Sequence, residues 1–248
     1  MARIGLQLYS INELTQKCFA GSLEKVAEIG YDGVEFFNYY NTSAKELRKI
    51  LDAIGIQSAG SHINVEKLED NLKQVIEFSM EINDPYIICP RLPEYMRDSS
   101  DAYKRTAELF NIIGNKCKDN GIKLVFHHHE HELQQYNGDS GLDILCKYTQ
   151  PDLLYLELEV YWLECCGLVP ADVISKYNER CISLHISDIK SLEKKTYTEI
   201  GKGIVDIKAL ITTAKKYNVE WYNVEQEEYE IPQLQSIQES LNYLRTIL

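Results

Sequence analysis

The chain alternates eight times between a short apolar segment and a longer amphipathic segment, and this alternation restricts the folds open to it. The apolar segments are about five residues long and rich in β-branched and aromatic side chains, as expected for strands. They cover residues 3–9, 33–37, 57–62, 86–90, 123–129, 153–159, 181–185 and 221–225. Strands that alternate with helices favour a parallel sheet.

Apolar residues recur between these strands at the spacing of one helix face. Leu23, Val26 and Ala27 stand at positions i, i+3 and i+4, and Gly30 is placed to end that helix. Similar patterns follow the third and fourth strands, and the last helix is predicted around Leu241.

Eight strand–helix units within 248 residues predict a single (β/α)8 TIM barrel that forms one domain over residues 1–248. The competing fold is an open, doubly wound sheet. Such a sheet predicts a glycine-rich phosphate loop after the first strand, whereas this chain continues there as Leu-Tyr-Ser-Ile-Asn-Glu.

Net charge and hydropathy limit the kinds of partner that this chain could bind. The net charge of -12 argues against nucleic-acid binding, which usually requires a basic face. No apolar run reaches the ~18 residues that span a bilayer, and the N-terminus lacks the pattern of a secretory signal. We therefore expect a cytoplasmic protein with a small-molecule ligand and no membrane or nucleic-acid partner, with a homo-oligomer left open.

Histidines and acidic residues follow the predicted strands at their C-terminal ends, where the active site of such a barrel is built. All six histidines lie at these ends. The strand-end residues are Glu35, His62, the run from His127 to Glu132, Glu159, Trp162, His185, Asp188, Glu225 and Glu227. Barrel closure would bring the ends together around one axis, so these residues predict one shared site.

Imidazole and carboxylate groups without a clear thiolate suit Mn²⁺, Co²⁺, Fe²⁺ or Zn²⁺ and, with more carboxylates, Mg²⁺. A metal with an open coordination position would polarise a substrate oxygen as a Lewis acid. The neighbouring carboxylates would then serve as general acid and base.

Five segments in the second half of the chain carry a resemblance to a known family. They are residues 126–132 (Phe-His-His-His-Glu-His-Glu), 158–162 (Leu-Glu-Val-Tyr-Trp), 184–190 (Leu-His-Ile-Ser-Asp-Ile-Lys), 199–203 (Glu-Ile-Gly-Lys-Gly) and 224–227 (Val-Glu-Gln-Glu). In order and spacing they resemble segments of the sugar phosphate isomerase/epimerase family of xylose-isomerase-like TIM barrels.

The resemblance implies a divalent metal (Mn, Co, Zn or Mg) held by the ends of strands five to eight. Carried over to this chain, the metal ligands are His127, Glu159, His185 and Glu225. Glu225, with His127 or His129, is the candidate base and acid. The predicted substrate-binding residues are Glu35, His62, Glu132, Trp162, Asp188 and Glu227.

Three residues depart from the family pattern. Glu159 stands where aspartate is usual, Ser187 replaces a lysine, and His128 replaces an asparagine. The site is therefore altered relative to the common pattern.

The predicted function is a metal-dependent isomerase or epimerase of a small sugar, keto-sugar or polyol, acting by proton transfer through an enediolate. A lyase or dehydratase would use the same enediolate and then expel a β-leaving group. A degenerate, non-catalytic sugar-binding barrel is a further alternative. DNA repair, as in the endonuclease branch of the family, is disfavoured by the acidic charge.

Overall fold

The computed structural model describes residues 3–248, and its central feature is a closed barrel of eight parallel strands. The strands follow chain order around the barrel, and the first pairs with the last, with Ile4 opposite Tyr222. They are Arg3–Gln7, Gly33–Phe36, Gln57–His62, Tyr86–Cys89, Lys123–His127, Tyr155–Glu159, Cys181–Ile186 and Trp221–Val224. The predicted (β/α)8 fold is confirmed, although several strands end one or two residues earlier than predicted.

The helices surround the barrel. Those of the described chain are α1 (Asn12–Lys17), α2 (Phe19–Ile29), α3 (Ala44–Ile54), α4 (Val65–Glu81), α5 (Ser100–Lys118), α6 (Gly141–Tyr148), α7 (Val160–Cys165), α8 (Pro170–Tyr177), α9 (Ile207–Lys216) and α10 (Gln233–Ile247). Within residues 3–248, none of them combines the length and the apolar character required to span a bilayer.

Capping residues set the limits of several helices. The Ser43 hydroxyl accepts a hydrogen bond from the backbone N–H of Glu46 and begins α3. Gly55 ends that helix with a φ of 71°, a left-handed conformation that glycine adopts without strain. Gly30 ends α2 in the same way, as its position in the sequence predicted.

The lower interior of the barrel is filled by apolar side chains. Tyr86, Ile88, Val125 and Trp221 belong to one buried cluster of strand residues, separate from the larger core. Gly33 leaves room for this packing, because a Cβ there would lie 2.4 Å from the Trp221 ring. Since side chains alternate along a strand, Val125 shares its face with His127, and Trp221 with Asn223. The apolar layer therefore closes the barrel beneath the polar strand ends.

Two loops at the carboxyl ends of the strands contain short hairpins. Gln135–Tyr136 pairs with Asp139–Ser140 after the fifth strand, and Asp188–Ser191 pairs with Thr196–Thr198 after the seventh.

Candidate active site

The last three barrel strands each carry two polar residues at alternate positions, so that both face the same side of the strand. These pairs are Glu157 and Glu159, Ser183 and His185, and Asn223 and Glu225. Five of the six side chains are buried and Glu225 is partly buried. Together with Glu35, His62 and His127 from neighbouring strands, they form two adjoining clusters that share His185.

The outer cluster consists of Glu159, His185 and Glu225. The Nδ1 atom of His185 lies 2.9 Å from Glu225 Oε2 and 3.2 Å from Glu159 Oε2. One ligand atom from each residue falls within 4.8 Å of the other two. Three of the four sequence-predicted metal ligands are thus brought together.

The inner cluster consists of His62, His127 and Glu157, together with the other nitrogen of His185. Glu157 Oε2 lies 3.0 Å from His185 Nε2, 3.2 Å from His127 Nδ1 and 3.3 Å from His62 Nε2. His127, the fourth predicted ligand, therefore directs its Nδ1 atom towards Glu157 rather than towards the outer cluster.

Glu35 is the fourth carboxylate that contacts the imidazoles of the two clusters, and it is buried. Its Oε1 atom lies 2.7 Å from His185 Nε2 and 2.8 Å from His62 Nε2, and its Oε2 atom accepts a hydrogen bond from Asn223 at 2.6 Å. Gln7 donates a further hydrogen bond to Oε1. Glu35 thus holds the imidazole of His185 from the side opposite to Glu159 and Glu225.

The electrostatics of the clusters favour neutral imidazole at one histidine and positive charge at another. Burial lowers the pKa of His127 to about 4, which leaves its ring neutral near pH 7. Burial acts in the same direction on His62, but the adjacent Glu35 and Glu157 outweigh it and raise the pKa of His62 to about 9.

The two carboxylates of the outer cluster are affected in opposite directions. Burial raises the pKa of Glu159 to about 8. Burial also opposes ionisation of Glu225, but the charge of His185 and its hydrogen bond outweigh that effect and hold the pKa of Glu225 below its usual range. His185 therefore distinguishes two otherwise similar carboxylates.

His129 and Trp162 lie at the mouth of the site. Both side chains are partly buried, and their ring centroids are 6.4 Å apart. The His129 ring lies 4.9 Å from that of His127, on which it packs edge to face. His129 therefore lies between the Trp162 ring and His127 of the inner cluster.

Three further predicted residues occupy other environments. Glu132 is buried and accepts a hydrogen bond from the backbone N–H of His129 at 2.8 Å. Asp188 is buried and uses both oxygens on backbone N–H groups, among them those of Gly201 and Gly203. Glu227 is exposed. In this arrangement Glu132 and Asp188 fix the backbone of loops that border the site.

Two of the family departures have a local role. His128 Nε2 accepts a hydrogen bond from the backbone N–H of Glu159 at 3.1 Å, which ties the fifth strand to the sixth. Ser187 donates to the backbone carbonyl of Glu225 at 2.8 Å. Both residues therefore position a member of the outer cluster.

The sequence motifs did not predict Glu157, Asn223, Ser183 or Gln7 as site residues. Glu157 and Asn223 lie two residues before the predicted Glu159 and Glu225, so strand periodicity places each on the same face as its partner. That spacing was the available signal. It could not by itself show that Glu157 contacts three imidazoles.

Comparison with known proteins agrees with the fold and with the predicted family. A family model described as xylose isomerase-like TIM barrel matches residues 23–247. An inosose dehydratase from Clostridium beijerinckii is 24% identical over 86% of this chain and 83% of its own length.

Solved structures share the fold. A sugar phosphate isomerase/epimerase from Parabacteroides distasonis aligns with a TM-score of 0.85 and 23% identity, covering 99% of this chain and 94% of its own. An L-ribulose 3-epimerase aligns with a TM-score of 0.76 and 14% identity, covering 99% and 94%.

These findings confirm the resemblance predicted from the sequence motifs, and with it the prediction that the chain is an enzyme. The family match extends over most of the barrel, from α2 to α10. The chain belongs to the xylose isomerase-like TIM barrel family.

Proposed function

We propose that this enzyme isomerises or epimerises a small sugar, keto-sugar or polyol by moving a proton at the carbon next to a carbonyl group. The outer cluster carries the proposal, because two carboxylates and an imidazole nitrogen converge there within 4.8 Å. It lies at the carboxyl end of the barrel strands, where TIM-barrel enzymes place their catalytic groups.

The donor set of the outer cluster fits a divalent ion such as Mn²⁺, Co²⁺, Zn²⁺ or Mg²⁺. Glu159, Glu225 and His185 through Nδ1 would hold it, and His127 has only Nε2 left for the same ion because Nδ1 faces Glu157. Glu35 accepts from His185 Nε2, which leaves Nδ1 free to coordinate. When bound, the ion would polarise a substrate carbonyl as a Lewis acid.

Glu225 is the proposed general base. Its side chain is 13% exposed, compared with 2% for Glu159, so it is the carboxylate of the outer cluster that a substrate can reach. It would remove the proton from the carbon next to the carbonyl and generate an enediolate. His127 or His129 would deliver a proton on the other side, and Trp162 would pack against an apolar face of the sugar.

Dehydration is the second candidate, and the inosose dehydratase relative supports it. The first proton transfer would be the same. Loss of a hydroxyl group from the β-carbon would then replace reprotonation, so that water leaves and a carbon–carbon double bond forms.

Solvent exchange tests the proposal and separates the two reactions. Protein loaded with Mn²⁺, Co²⁺, Zn²⁺ or Mg²⁺ is incubated in D₂O with a panel of ketoses and an inosose, and the products are followed by NMR. We expect deuterium at the carbon next to the carbonyl, with the substrate isomerised or epimerised, and none in a chelated sample. A double bond in the product would identify a dehydratase, and the absence of exchange with every substrate and metal would refute both.

A further inference from the structure

The inner cluster gathers metal-binding atoms that the outer cluster does not use. His62 Nε2, His127 Nδ1, Glu157 Oε2 and His185 Nε2 all lie within 4.8 Å of one another. Metal ligands at about 2.0–2.2 Å from an ion, separated by angles between a right angle and the tetrahedral angle, are about 2.8–3.6 Å apart. The separations of 3.2 Å from Glu157 Oε2 to His127 Nδ1 and 3.3 Å to His62 Nε2 lie within that range.

The charges around this cluster also point to a cation. Glu35, Glu157, Glu159 and Glu225 are four carboxylates in contact with one shared set of imidazoles. In the described part of the chain none of the four forms an ion pair with lysine or arginine. One divalent ion in the outer cluster would pair with Glu159 and Glu225, and would leave Glu35 and Glu157 with imidazoles as their partners among the cationic side chains.

We infer that the inner cluster is a second divalent-cation site, with His62 Nε2, His127 Nδ1 and Glu157 Oε2 as its protein ligands. A neutral imidazole has one lone pair, so His185 serves only the outer ion, through Nδ1, and donates its Nε2–H to Glu35. His127 likewise serves only the inner ion, and the outer ion keeps three protein ligands. Of the three inner ligands, His127 also has a role in the proposed function, as a candidate acid.

The two sites differ in donor chemistry, and this difference predicts their metal preference. The inner site offers two imidazoles and one carboxylate, a set that suits Zn²⁺ or Co²⁺. The outer site offers two carboxylates and one imidazole, which suits Mn²⁺ or Mg²⁺ better. A cavity of about 450 Å³, lined by His62, Asn64 and Pro90 among others, reaches the His62 member of the inner cluster.

Metal stoichiometry tests the inference without measuring activity. The full chain is stripped with a chelator, reloaded with Zn²⁺ and Mn²⁺ and analysed for bound metal by elemental analysis and titration calorimetry. We expect two ions per chain. Glu157→Gln should remove one ion, mainly Zn²⁺. Glu225→Gln should lower the affinity for the other ion by tenfold or more. Asp84→Asn is the matched control, since it removes a buried carboxyl group outside both clusters and should retain two ions.

Circular dichroism establishes that each variant is folded, and His62→Gln replaces Glu157→Gln as the inner-site variant if the latter does not fold. A single ion per chain that the inner-site variant retains and that Glu225→Gln binds more weakly would overturn the second site and leave the proposed function intact. One ion lost only in the inner-site variants would support the inner site and refute the outer metal site of the proposed function.

Discussion

The two ends of the barrel surround their carboxylates with different partners. At the end where the strands begin, Glu220 lies 2.5 Å from Lys123 Nζ and 3.4 Å from Arg3, and it accepts a hydrogen bond from the Tyr86 hydroxyl at 2.5 Å. At the end where the strands finish, the carboxylates contact imidazoles, amides and hydroxyls instead.

The difference separates a carboxylate that is paired with fixed cations from carboxylates that are paired with titratable imidazoles. The charge of Glu220 is balanced by fixed side chains, as expected at the stability face of a TIM barrel. The four carboxylates at the other end are balanced only when histidines are protonated or cations bind. The same residue type therefore stabilises the fold at one end and is available for chemistry at the other.

The largest effect is expected at the carboxyl end of the strands, where the two clusters lie. Glu225→Gln keeps the shape and one oxygen ligand but removes the charge and the basicity, so kcat should fall by ~10²–10⁴-fold, more than metal affinity falls. His185→Ala should act mainly through metal loss, and excess metal should partly restore its rate. The measurement is solvent deuterium exchange with each variant at saturating metal.

Wild-type exchange in the Glu225 variant would move the base role to a histidine of the fifth strand. Glu228→Gln is a matched control, because that exposed carboxylate lies outside both clusters and its loss should leave the rate unchanged.

Chelation should produce the next largest effect. A ligand that binds only the folded chain stabilises it by about 2.7 kcal/mol when its free concentration is 100 times its Kd. We expect the Tm to fall when metal is removed, and to fall by the same amount in Glu220→Gln, because that residue lies at the opposite end. A larger metal effect in Glu220→Gln than in wild type would show that the two ends are not independent.

The barrel could be predicted from the sequence because each of the eight strand–helix units repeats the same hydrophobic pattern. Each strand and each helix has its own periodicity, and Gly30 ends α2 where its position predicted. The strand ends were less well predicted, since residues 8–9 begin a 3-10 turn and residues 128–129 follow the end of the fifth strand. Local hydrogen bonding, rather than hydrophobic pattern, decides such boundaries.

The site was predictable as a set of residues but not as two clusters. Glu35, His62, His127, Glu159, His185 and Glu225 were named from strand ends and motifs, and the structure brings them together. Glu157 was overlooked because it stands in the middle of an apolar strand. Which nitrogen of His127 faces which carboxylate depends on side-chain rotation, and strand periodicity carries no information about it.

A smaller effect is expected at the opposite end of the barrel, where the strands begin. Glu220→Gln weakens contacts with Lys123 and Arg3, so the free energy of unfolding should fall by about 1–2 kcal/mol after allowance for the partial exposure of these side chains. Metal stoichiometry and exchange rate should not change. Urea unfolding of both proteins at pH 7 measures the difference, and a lost metal ion in this variant would contradict the separation of the two ends.

The smallest effect is the pH dependence of that difference. Burial opposes ionisation of Glu220, but its hydrogen bond with Lys123 outweighs it and holds the pKa below the ordinary value of 4.5. Between the folded and unfolded pKa values the unfolded chain binds more protons than the native chain, so stability from this group is present above about pH 4.5 and is lost as the pH falls. The destabilisation caused by Glu220→Gln should therefore shrink when urea unfolding is repeated at pH 3.5 with chelator in every sample. If the destabilisation is the same at both pH values, Glu220 acts through packing and hydrogen-bond geometry rather than through its charge. The two ends of the barrel would then not differ in the way that they use carboxylate charge for stability.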